Sequence, residues 1–226
     1  MSDVVVRHSV AAPAAIISDP DERAKREASN GLIQDERVRQ YVLQVMDGRP
    51  FKLRPSILLD LNRCAIDGLD VFAGNWRPGP VEISDSKHAP PEACTVPSYV
   101  EELCDYINDN WNTSKALHLA AMTMWRLNWI HPFTDGNGRT ARAASYLVLC
   151  AHQARLLPGT PTIPEQIVAA RAPYYEALEK ADDAYVKNGA NLASSVVSEA
   201  ENMMGTMLAR QLAEAFREAG GDVPTK

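Results

Sequence analysis

Residues 130–142 read Ile130-His131-Pro132-Phe133-Thr134-Asp135-Gly136-Asn137-Gly138-Arg139-Thr140-Ala141-Arg142. Upstream, Leu117, Ala120, Ala121, Met124 and Leu127 recur at helical spacing, which predicts a helix over residues 114–130. Downstream, Ala141, Ala144, Tyr146, Leu147 and Cys150 predict a second apolar helix over residues 138–154. His131 to Asn137 is therefore a turn between two helices, and the alanines let those helices approach closely. A Gly-Asn-Gly turn takes positive φ at little steric cost and can aim several backbone N–H groups at one point. The first amides of the following helix point the same way, which makes the turn an anion site.

Each residue of this stretch also has a plain structural reading. His131 can be a helix-end histidine, Asp135 a cap of the next helix, Gly136-Asn137-Gly138 a tight turn, and the two arginines a solvated face. The combination says more. Arg139 and Arg142 lie i, i+3 on one helical face above the nest, where two guanidiniums repel each other unless a polyphosphate relieves them. Asp135 beside them can hold Mg²⁺, which takes one or two carboxylates plus phosphate oxygens. His131 is then the group with a pKa suited to accepting a hydroxyl proton.

Around this centre the chain reads as a helical bundle. Residues 1–20 carry turn formers and little period and are expected to form an arm. Residues 21–34 are helix-compatible up to a break at Asn30-Gly31, after which Val38, Tyr41, Val42, Val45 and Met46 mark a helix ending at Asp47-Gly48. Pro55 opens another, which ends at Gly68. From Gly74 to Pro91 prolines and glycines exclude helix, and Val81-Glu82-Ile83 alternates as a short strand. This segment is either an exposed connection or a hairpin whose edge offers backbone groups to an extended partner. Ser98-x-x-Glu101 predicts a capping box, Pro164 and Pro173 mark helix starts, and a long final helix is expected over residues 191–218. The fold class is all-α with one small β excursion.

With 226 residues the chain suits one domain and can bury a sizeable core. A net charge of −6 with scattered Lys and Arg argues against nucleic acid as a partner. Cys64, Cys94, Cys104 and Cys150 sit singly, without the paired spacing of a zinc or redox motif. No apolar run approaches the ~20 residues of a membrane span, and residues 1–15 lack a secretory layout. No membrane partner and a cytoplasmic location are expected.

The string HPFTDGNGRTAR resembles the signature of the Fic family, His-x-Phe-x-Asp/Glu-Gly-Asn-Gly-Arg-x-x-Arg, at every position. Gly74-Asn75-Trp76-Arg77, Val81-Glu82-Ile83 and His88-Ala89-Pro90-Pro91 are similar to that family's flap. Ile163-Pro164-Glu165 and Tyr174-Tyr175-Glu176-Ala177-Leu178 are similar to a later segment of it. The resemblance covers roughly residues 50–185. It implies a Fic-like helical bundle with a short β-hairpin flap over the active site. The division expected is residues 1–50 as arm and packing helices, 51–190 as the Fic domain, and 191–226 as a final helix and tail.

The resemblance also implies chemistry, namely transfer of AMP from ATP to a Ser, Thr or Tyr hydroxyl of a target protein, with pyrophosphate released. His131 would be the general base and Asp135 would carry Mg²⁺. The amides around Gly136, Asn137 and Gly138 would hold the α-phosphate, and Arg139 and Arg142 the outer ones. Flap residues Val81, Ile83, Ser84, Asp85, Ser86, Lys87 and His88 would bind the target by strand addition. Tyr174 and Tyr175 either border the adenine pocket or pack as core. Relatives often place Asn near Asp182, and a kinase-like subgroup carries Lys at the position of Gly138, so Gly138 favours AMP transfer. Transfer of another phosphate-containing group, from another nucleotide donor, is the second reading, and a low-turnover nucleotide-binding module the third.

Many relatives carry an inhibitory Ser/Thr-x-x-x-Glu-Gly/Asn helix, whose glutamate faces the second arginine. Ser18 to Glu22 and Ser195 to Glu199 have its spacing but are followed by Arg23 and Ala200, and Glu27 to Gly31 matches neither form. Control is therefore expected from a separate, antitoxin-like inhibitory protein in preference to a divergent N-terminal helix. A homodimer is left open.

Overall fold

The computed structural model describes residues 9–10 and 16–221. Eight α-helices are found among these residues: α1 (Pro20–Met46), α2 (Pro55–Ile66), α3 (Val96–Asp109), α4 (Ala116–Ile130), α5 (Asn137–His152), α6 (Ile163–Ala169), α7 (Arg171–Lys187) and α8 (Ser198–Glu218). The expected all-α class is what the chain adopts. Helix α4 lies at the centre, and Leu119, Met122 and Trp125 on successive turns have no exposed surface. Buried at every position from His118 to Leu127, it is a core helix. Helix α5 packs along it, α1 and α2 cover α5 on one side, and α7 and α8 close the other side of α4.

Helix α1 departs from expectation, because it runs unbroken through Asn30-Gly31. The Asn30 side chain is buried and donates to the carbonyls of Ala65 and Asp67 at 3.3 and 2.9 Å, and Gln34 donates to Leu61 at 2.9 Å. These bonds to the end of α2, with Val38 and Val42 in the core, hold the helix where propensity alone would let it break. Helix α3 starts at Val96 after a 3-10 turn at Ala93–Thr95, so Ser98 lies inside it and no capping box forms there. Pro97, with φ already set for a first turn, draws the start forward. A capping box forms at Thr162 and Glu165, ahead of α6. Helix α8 begins at Ser198 after a second 3-10 turn at Ser194–Val197, later than the expected residue 191.

The β excursion is there, but its partner differs. Strand β2 (Glu82–Ile83) pairs antiparallel with β1 (Ser9–Val10), Ser9 opposite Ile83 and Val10 opposite Glu82. The expected hairpin within the flap is replaced by a pair drawn from the N-terminal arm. Two-residue strands gain little alone, and the arm meets the body again where Ile16 N–H donates to Leu69 O at 3.1 Å.

A charged side chain also sits in the core. Arg126 on α4 is fully buried, with its guanidinium 4.2 Å from the Trp129 ring, 4.8 Å from Tyr185 and 5.1 Å from Tyr99. It reaches Glu102 at 2.6 Å. Arg126→Ala empties that aromatic cage and is expected to lower unfolding free energy by about 3 kcal/mol, read by urea denaturation.

Candidate functional site

Helix α4 ends at His131, whose φ of 50° and ψ of 59° put it in the left-handed region and turn the chain sharply. The imidazole is buried, and its Nδ1 lies 3.3 Å from Asn128 O. Nδ1 is therefore the donor nitrogen, and Nε2 carries the basic lone pair. Burial pushes the imidazole down to about 4, against the Asn128 carbonyl, which favours the charged form. It is neutral at physiological pH and can accept a proton, but is less basic than its sequence context predicts.

Helix α5 begins with a glycine cap at Gly136, φ 75°, and Thr140 N–H donates to Gly136 O at 2.8 Å. The first amides of α5 precede that bond and face outward along the helix axis. A Cβ at Gly136 would lie 2.6 Å from Ile66 Cγ2, so only glycine allows this turn against α2. The Asn137 side chain turns inward, accepting from Phe133 N–H at 2.9 Å and donating to Phe133 O at 2.8 Å. It braces the loop and leaves the nest to backbone groups. Asn62 of α2 supports the same loop, donating to Asp135 O at 3.0 Å and accepting from Gly74 N–H at 3.1 Å.

Charges converge above this helix start. Asp135 Oδ1 accepts from Gly136 N–H at 2.5 Å and from Arg139 Nη2 at 3.1 Å. Its Oδ2 accepts from Arg23 Nη2 at 2.7 Å. Burial pushes the Asp135 carboxyl up, but Arg139, the Gly136 amide and Arg23 together hold it below its usual range. Glu27 lies 3.1 Å from Arg23 and 3.7 Å from Arg139. Arg142 behaves differently from Arg139. Burial lowers its pKa, and the groups acting on it are Tyr174, Arg171, Arg139 and Tyr175, none of them a carboxylate. Gly138 preserves its position, since a Cβ there would come within 3.2 Å of Arg142 Nη1.

These groups line one cavity of about 760 Å³ that takes in His131, Asp135 to Arg139 and Arg142, together with Tyr174, Tyr175 and Asp182. Tyr174 is both core and cavity wall, and burial raises its hydroxyl pKa against the pull of Arg142. From the flap, Ile83, Ser86 and His88 reach the cavity. Val81 is buried in the protein, and Ser84, Asp85 and Lys87 lie outside the cavity lining. His88 Nε2 lies 2.7 Å from Trp129 O and its Nδ1 3.9 Å from Asp182, so the flap tip is tied to α4 and α7. Asp182 also accepts from Trp125 Nε1 at 2.8 Å. A shallower groove of about 470 Å³ along α7 and α8 contains none of the motif residues.

Sequence reading missed Arg23 and weighed Glu27 only within an inhibitory-helix pattern that it does not match. Arg23 lies 112 positions from Asp135, and only the i, i+4 charge pair with Glu27 could have drawn notice to it. No group of three or more His, Cys, Asp or Glu able to hold a metal alone occurs among the described residues. One carboxylate at a phosphate site is compatible with Mg²⁺, which fills its shell with phosphate oxygens and water. No helix among the described residues is long and apolar enough to cross a membrane.

Residues 52–149 match the family model described as Fic/DOC family. Protein adenylyltransferase Fic of Nematostella vectensis is 40% identical over 83 residues, 34% of this chain and 18% of that protein. Protein adenylyltransferase fic-1 of Caenorhabditis elegans is 32% identical over 127 residues, 55% of this chain and 23% of that protein. The chain thus spans less than a quarter of the length of these two curated relatives. Among solved structures, a Fic domain containing signaling protein from Bacteroides thetaiotaomicron superposes with a TM-score of 0.72 at 20% identity, over 93% of this chain and 78% of that one. A fragment of Fic-1 from Caenorhabditis elegans gives 0.59 at 22% identity, over 90% and 55%. At these identities the two structures speak for the fold, and the family match covers the segment that holds the signature and the start of α5. Over residues 52–149 the chain is therefore similar to the Fic/DOC family, in the segment that builds the site.

Proposed function

We propose that the chain transfers the AMP moiety of ATP to a Ser, Thr or Tyr hydroxyl of a protein and releases pyrophosphate. The observation that carries this reading is the convergence of His131, the α5 N-terminus, Asp135 and Arg142 in one cavity. The acceptor oxygen forms its bond to the α-phosphorus, the α–β bridging P–O bond breaks, and the hydroxyl proton passes to His131 Nε2. The first amides of α5 hold the charge on the α-phosphoryl oxygens, and Arg142 and Arg139 take the outer phosphates. Asp135 would hold Mg²⁺, which neutralises phosphate charge when bound. The names of the two curated relatives support transfer of an adenylyl group, and glycine at position 138, where a kinase-like subgroup of the family carries Lys, supports AMP over phosphate transfer. A cytoplasmic location, where ATP is abundant, goes with this reading. Mass spectrometry of a lysate incubated with the protein, ATP and Mg²⁺ should find AMP on hydroxyl side chains. AMP appearing only with another nucleotide as donor, or no modified peptide at all, would overturn the reading.

The acceptor would add as a strand beside β2. Ser9–Val10 occupies that edge, and Arg23 occupies the carboxylate that Mg²⁺ requires. This arrangement supports control in cis by the N-terminal segment, where the sequence favoured a separate inhibitor. Arg23→Ala is expected to raise transfer about fivefold, the weight of one half-exposed ion pair of ~1 kcal/mol, measured as initial rate at limiting Mg²⁺. A point substitution is the right tool, because cutting within α1 also removes the Asn30 and Gln34 bonds to α2.

A further inference from the structure

Arg77 is 3% exposed, and burial lowers its pKa. Among the described residues its guanidinium bonds go to backbone carbonyls. Nε donates to His131 O at 2.8 Å, Nη1 to Gly79 O at 2.9 Å, and Nη2 to Pro91 O. Its own N–H donates to Pro132 O at 2.9 Å. Next to it the Trp76 ring packs 5.2 Å from Phe133. Gly79 and Pro91 are the two roots of the flap, so one guanidinium grips both roots and the left-handed corner that carries the histidine. A planar fork with five N–H donors serves three carbonyls on separate segments, and a lysine ammonium on a flexible stem does not hold them in one plane. A buried cation costs free energy that an apolar side chain would avoid, which makes a purely space-filling role a poor explanation.

We propose that Arg77 is a positioning residue that couples the flap to His131 and keeps an acceptor held at β2 at one fixed spacing from Nε2. This rests on the roles given above to His131 and the flap. His88 anchors the flap tip separately, through Trp129 and Asp182, so without Arg77 the flap stays attached and loses its alignment.

The test is Arg77→Lys, with Arg77→Gln beside it, in the full chain. For a variant that melts within a few degrees of wild type, ATP affinity by calorimetry should change by less than about twofold. Transfer at saturating ATP should fall at least about tenfold, residues 79–91 should exchange amide hydrogens about tenfold faster, and the His131 ring carbon signals should shift. Wild-type exchange, ring signals and transfer in a folded variant overturn the proposal, as does a loss that only tracks melting temperature. Should neither variant fold, native-state exchange of the wild type decides. Loss of Arg77 amide protection together with that of the flap supports the coupling, and an Arg77 amide that stays protected while the flap exchanges overturns it. If the wild type transfers no AMP, the proposed activity fails, and the exchange and ring signals still decide the coupling.

Discussion

His131→Ala is expected to lower AMP transfer by about a hundredfold to ten-thousandfold while leaving ATP affinity within a factor of about two, since a positioned general base contributes on that order. The ring does not hold the phosphates in the arrangement proposed. In that arrangement the α5 amides and the arginines would make the anion contacts, so binding and turnover should separate. Wild type and variant are compared by calorimetry with ATP and by single-turnover transfer of α-labelled AMP. Equal rates would remove His131 from the chemistry. The pH profile adds an independent check. Burial holds the imidazole at about 4, so the basic form persists down to that value, and the acid limb of the rate should fall near pH 4 instead of the ordinary 6.5. The sign for stability follows from the same shift. Between pH 6.5 and about 4 the unfolded chain takes up a proton at His131 that the folded chain refuses, so this group's contribution declines as pH drops through that window.

The helical framework was legible because helix periodicity and its punctuation are local. Pro55, Pro164 and the Asp47-Gly48 stop mark ends that the structure reproduces within a residue or two. The motif was legible for a related reason, since thirteen consecutive positions between two amphipathic stretches must share one corner of the bundle. What escaped depends on contacts distant in sequence. Asn30-Gly31 reads as a break until its side chain meets carbonyls at the end of α2. Arg23 meets Asp135 across 112 positions, and no local pattern distinguishes it from the other arginines of α1. The partner of β2 is equally remote, and a two-residue strand carries no alternation to detect. Arg77 was visible as part of the flap's flank, but its role rests on three backbone carbonyls, which side-chain patterns do not encode.

Asp135→Asn is expected to reduce transfer at least about a hundredfold, roughly 2.7 kcal/mol of transition-state stabilisation, and to raise the Mg²⁺ concentration needed for half-maximal rate. Asparagine is the informative replacement because it retains an oxygen for the Gly136 N–H, which is 2.5 Å from the present carboxylate. The turn then survives and only the charge is lost. Two effects of opposite sign follow. The metal loses its carboxylate, and Arg23 loses the partner that draws it into the site. If holding Mg²⁺ is what Asp135 does, the loss dominates, and adding Arg23→Ala to Asp135→Asn recovers nothing, although Arg23→Ala alone accelerates the wild type. If Asp135 serves only to seat Arg23, Asp135→Asn behaves like Arg23→Ala and speeds the reaction. The two substitutions share one contact, so their free energies should not add. The sign of the single Asp135→Asn effect, measured as initial rate across a Mg²⁺ titration, decides between a metal carboxylate and a latch.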